Sequence, residues 1–202
     1  MSARDERLLR IASRVGAADG ILPRCRAATR DAPRGLMRLL PLRRYVLSCG
    51  LLLLPIFVWN LAFTRFLPSP WGTSEFWRDI PGPLAYQENV FRLIVSLVPF
   101  LMPLEMTSAI QRRGLVVTGV GVVLYFCAWA AIMLAPHSPW ASSSLGFLAP
   151  AYTPLIWLVG LALLGQRLFW GRFYRWWMFL VPAGAFITAH VRHTALVYAR
   201  IL

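Results

Sequence analysis

The chain has 202 residues, 58 % of them hydrophobic, with a mean hydropathy of +0.58 and a formal net charge of +13. Its apolar residues gather into several long blocks, which excludes an ordinary soluble domain and predicts an all-α, polytopic integral membrane bundle. The charge does not mark a nucleic-acid partner: all 21 basic residues are Arg, eleven precede the first apolar block, and no basic-aromatic module accompanies them. The exclusive use of Arg suggests a high-GC, bacterial genome. Cys25, Cys49 and Cys127 are scattered without a CxxC pair, so neither a disulfide framework nor a zinc ribbon is supported.

Residues 1–44 read as a basic cytoplasmic arm. Leu8, Ile11, Ala12 and Val15 recur at helical spacing opposite Arg7, Arg10 and Arg14, which describes an amphipathic helix lying on an anionic membrane surface. Pro23, Pro33, Gly35 and Pro41 then break the chain into a connector. Asp5, Glu6, Asp19 and Asp31 argue against a transit peptide. No small-residue cleavage site follows Phe63, so the block after Arg43 and Arg44 is expected to be an uncleaved anchor.

The bundle is expected over 45–202, with about five transmembrane helices at about 45–63, 90–104, 115–135, 151–164 and 176–196. The first is close to the roughly 20 residues that cross a ~30 Å hydrocarbon layer. The segment from Thr64 to Gln87, with Trp71, Trp77 and Pro81-Gly82-Pro83, reads as an external loop with an interfacial turn near Phe76 and Trp77. The second span carries Pro99 and Pro103 one turn apart and is expected to kink. The third has no charge and no proline, and Gly114, Thr118 and Gly121 share a face suited to close helix approach. A second external loop, Pro136 to Pro150, holds His137 and Ser142, Ser143 and Ser144; the serines lack the elbow and acidic partner of a catalytic nucleophile. The fourth span is short and carries Pro154.

Arg placement sets the expected orientation. Sixteen Arg fall in segments assigned to the cytoplasm and five elsewhere, which puts the amino terminus in the cytoplasm and the carboxyl terminus outside, in a bacterial cell inner membrane. On that topology Glu88, Asn89 and Arg92 at the start of span two, His137 after span three, and His190, Arg192 and His193 in span five all belong to the extracytoplasmic side. Ionisable groups at membrane depth are costly and count as candidate functional residues.

His190 and His193, three apart, share a helix face, the spacing used when two imidazoles hold one metal; His137 is the third His the chain offers, short of the usual three or four ligands at defined geometry. Used as chemistry instead, His190, His193, Arg92 and Glu88 form an acid-base set, with Arg92, Arg192 and Asn89 binding an anion. The simpler account of Glu88 and Arg92, four apart, is a mutual ion pair at the membrane edge. Glu105, at the inner end of span two, is either a proton or cation relay or the partner of Arg112 or Arg113. No cofactor is specified by any motif.

Three functions are compatible with these features. The first is a non-catalytic subunit or assembly factor of a larger membrane complex, with the bilayer and a membrane protein as partners. The second is a membrane enzyme acting at the extracytoplasmic face on an anionic lipid or lipid-linked substrate through the Arg/His/Glu cluster. The third is a small transporter component with the Pro-broken second helix and Glu105 on its path.

Overall fold

The computed structural model describes residues 47–69, 71–171 and 174–201; the expected arm over 1–44 lies outside the described residues. Among the described residues the chain is all-helical, with no strand. α1 spans Cys49–Phe66, an α-helix Leu54–Phe63 flanked by 3₁₀ turns. It is followed by a short α2, Thr73–Phe76, then α3, Gly82–Leu97, which runs into a 3₁₀ turn, Val98–Leu101. Next come α4, Ala109–Leu134, and three single-turn helices, α5 Pro139–Ser142, α6 Ser144–Phe147 and α7 Ala149–Tyr152. α8, Pro154–Leu164, and α9, Trp176–Ala199, complete the set.

Helix limits differ from the expected ones for local reasons. α3 begins at Gly82, not near Val90, because Pro83 in its first turn loses no helical hydrogen bond there and the polar run Gln87-Glu88-Asn89 continues the helix. α4 begins at Ala109, not Leu115: Ser108 accepts from the Gln111 N–H at 3.2 Å while the Gln111 side chain accepts from the Ser108 N–H at 3.0 Å, a reciprocal cap. The expected kink through Pro99 and Pro103 is instead a helix end. Pro99 cannot donate backward, the chain tightens to 3₁₀, and Met102 is extended (φ −102°, ψ 121°). The freed groups pair with the segment before α1: Cys49 N–H donates to the Met102 carbonyl and Leu104 N–H to the Leu47 carbonyl, each at 2.9 Å.

Two helices, α1 and α4, combine the length and apolarity needed to cross a membrane, so those criteria are met at two of the five expected positions. Ala149–Leu164 is a shorter apolar helical stretch, and α3 and α9 carry ionisable residues. Within α4, Val116, Val120 and Val123 are exposed while Gly114, Thr118 and Gly121 are buried against α8. A methyl added at Gly160 of α8 would stand 2.3 Å from Thr118 Oγ1, and one at Gly121 would stand 2.4 Å from the Trp157 N. The two backbones therefore approach as the small-residue face of α4 leads one to expect.

The main core joins Leu53, Val95, Leu158, Leu161 and Phe179 from α1, α3, α8 and α9. A second cluster closes one end, where Trp71 stacks on Phe147 with ring centres 4.5 Å apart and Phe76 and Val197 pack beside them. Both segments expected as external loops thus fold back onto the helices.

Candidate functional site

α3 and α9 pack together, and helical spacing decides what they present to each other. Glu88 and Arg92, four apart on α3, and His190 and His193, three apart on α9, lie on the facing sides. Glu88 is the centre: its side chain is 0 % exposed. Its Oε1 accepts from Arg92 Nη2 and, at 2.9 Å, from His190 Nδ1; its Oε2 stands 2.5 Å from His193 Nδ1. The second nitrogen of His193, Nε2, lies 2.9 Å from the Phe76 carbonyl oxygen.

These contacts count protons. A carbonyl has none to give, so His193 Nε2 carries one and donates it to Phe76. The short contact between His193 Nδ1 and Glu88 Oε2 requires a second, resident on one atom or the other. Whichever holds it, Glu88 and His193 together are neutral, and His190 is neutral in the tautomer that donates from Nδ1 and leaves Nε2 bare. With Arg92, the network around Glu88 then carries one net positive charge. The neighbouring carboxylates have cations of their own: Glu75 and Asp79 both engage Arg78, at 2.9 and 3.8 Å, and the Arg200 guanidinium donates to the Arg78 carbonyl beside them.

The α2 segment closes over this cluster. The Phe76 ring stacks on His193 with centres 4.2 Å apart, Trp77 meets the same imidazole edge-on at 4.6 Å, and Arg200 donates to the Arg78 and Phe76 carbonyls. His193, 0 % exposed, is sealed away from any ligand. Arg92 is not: its side chain is 39 % exposed, with its guanidinium 5.6 Å from the Trp77 ring centre and 5.8 Å from that of Phe186.

Arg92 and His190 reach a cavity of about 370 Å³, within the ordinary range for small-molecule sites. Its other walls are chiefly apolar and aromatic, including Trp59, Phe63, Trp157 and Phe186. Tyr125 donates to Asn60 Oδ1 at 2.7 Å within the same lining, and Ser96 adds a hydroxyl. His190 spends only Nδ1 on Glu88, which leaves Nε2 at the cavity wall without a hydrogen-bond partner among the described residues.

Of the residues singled out in the sequence, Glu88, Arg92, His190 and His193 come together, and the ion pair expected within α3 is present. Asn89 and Arg192 are exposed and take no part in the Glu88 network. His137 is exposed in the turn after α4. Among the described residues no three His, Cys, Asp or Glu are arranged to hold a metal ion. Glu105 pairs with Arg167 across the chain, not with Arg112 or Arg113. The Phe76 carbonyl, Trp77, Phe186 and the Asn60–Tyr125 pair were not anticipated. Of these only Phe186 had a usable signal, lying four residues before His190 on the same face; the two rings stack with centres 5.4 Å apart.

Comparison with protein-family models, with curated proteins and with solved structures finds no match.

Proposed function

We propose that this is a five-span bacterial inner-membrane protein, amino terminus cytoplasmic, whose extracytoplasmic cluster binds and acts on an anionic, lipid-linked substrate. The single observation that supports this most is that one buried carboxylate gathers Arg92, His190 and His193 with a net positive charge, two of them reaching an apolar cavity. Arg92 offers its fork of donors to the anion. His190 is the general base: Glu88 accepts its Nδ1–H and holds the tautomer, so Nε2 presents a lone pair to a water or hydroxyl beside the bound head. Glu88 and His193 are positioning residues. The orientation rests on Arg placement, and the second, fourth and fifth crossings on α3, α7 with α8, and α9.

The test separates chemistry from packing. In cells lacking the chromosomal gene, Arg92→Gln and His190→Gln are each expected to abolish complementation while the membrane level of the protein stays within about twofold of wild type, since a Gln amide at either position keeps an N–H donor for Glu88. A parallel loss of abundance would assign the cluster to folding alone.

A second reading, an accessory subunit of a larger complex, is favoured by a different feature. Trp176, Trp177, Met178 and Val181 leave the start of α9 apolar and exposed. Copurification of a stable partner, lost on Trp177→Arg, would support it.

A further inference from the structure

We infer that the substrate is a single-chain anionic amphiphile, its chain lodged in the cleft between α1 and the rest of the bundle and its head on Arg92 and His190. This rests on the anion-reading site proposed above and adds the lipid half of the ligand. Along Leu54–Phe63 only Ile56 is buried, while Val58 and Leu61 are exposed. α1 is therefore an outer wall, and the cavity lies between it and α3, α4, α8 and α9. Trp59 and Phe63 face Val95, Trp157 and Phe186 across that space.

Size favours a small molecule. At about 370 Å³ the cavity lies at the lower end of the range that small-molecule sites occupy. A volume of that order is matched by one hydrocarbon chain. Charge decides against a neutral lipid, which would leave the net positive charge of the Glu88 cluster unanswered beside the cavity. Aromatic walls decide against a small hydrophilic anion, which would leave them wetted. What satisfies all three is one hydrocarbon chain ending in a phosphate or carboxylate.

Native mass spectrometry of the full chain, released from an uncharged detergent, tests this with three probes: a lysophosphatidic acid, the monoacylglycerol with the same chain, and glycerol phosphate. One lysophosphatidic acid per chain is expected, bound about tenfold or more tighter than either control, as a charge-assisted Arg contact plus chain burial implies. Ser96→Phe and Thr64→Phe, which fill the cleft from opposite walls, are each expected to cut that binding about tenfold, whereas Arg92→Gln removes the preference over monoacylglycerol. Glycerol phosphate binding as tightly as lysophosphatidic acid would overturn the chain-binding inference and leave the anion site standing. Monoacylglycerol matching lysophosphatidic acid, with Arg92→Gln silent, would overturn both. A probe-free dimer that the cleft-filling variants dissociate would assign the cleft to a second copy and overturn the inference.

Discussion

Glu88 and Glu105 are the same residue type, each paired with an Arg, and the chain uses them in opposite ways. Glu88 is sealed and accepts from three side chains on two helices; Glu105 is 30 % exposed and meets only Arg167, itself 49 % exposed. An exposed pair is worth about 0–1 kcal/mol because water competes for both ions. Removing the buried carboxylate strands an Arg and two imidazoles at once, at a cost of about 3–5 kcal/mol. Burial, not the presence of an ion pair, therefore marks which end of the bundle carries a site.

The contrast is broken most severely by Glu88→Ala, which strands Arg92 and both imidazoles; a loss of about 3–5 kcal/mol is expected in chemical unfolding from detergent. Glu88→Gln, retaining shape, is expected to lose less, because an amide still accepts from Arg92. A Glu88→Ala cost below that of Glu105→Ala would invert the account. Next in size, His193→Ala removes the donor to Phe76 and the ring beneath it, at about 1–3 kcal/mol. It is expected to raise amide hydrogen exchange over 71–79 selectively; uniform exchange across the bundle would count against the closure described.

A steric counterpart lies in the α4–α8 seam, where Gly160→Ala puts a methyl 2.3 Å from Thr118 Oγ1. It is expected to cost about 1–3 kcal/mol by overpacking and to leave ligand binding at Arg92 unchanged. Smallest of all, Glu105→Ala is expected to change stability by no more than about 1 kcal/mol. Whatever it changes should vanish near 1 M salt, where screening acts within about 3 Å. A larger or salt-insensitive effect would mean that Glu105 belongs to a second site.

Much of the site was legible because helical periodicity is printed in the residue order. Glu88 with Arg92 and His190 with His193 share faces by spacing alone, and Gly114, Thr118 and Gly121 announced the close approach of α8. What joins α3 to α9 was not legible in the same way. Arg placement leads one to expect their polar residues on one side of a membrane, but no spacing rule says that a single carboxylate takes both imidazoles. The Phe76 carbonyl is still less readable, since every residue has one. Arg192 and Asn89 were grouped with the cluster by depth, and helix phase turns both outward. Helix limits moved where a Pro-Gly-Pro start or a Ser-Gln cap outweighed the hydropathy edge, and Glu105 found Arg167 because the end of α3 leaves the helix at Pro99.

The account turns on the proton count at His193. Nitrogen-15 spectroscopy of the histidine-labelled protein reads it directly. The account predicts a protonated Nε2 together with a strongly deshielded proton in the Nδ1–Glu88 contact, and loss of that signal in Glu88→Gln. A bare Nε2 beside an ordinary Nδ1–H would make the cluster neutral, leave Arg92 matched by Glu88, and contradict the anion site.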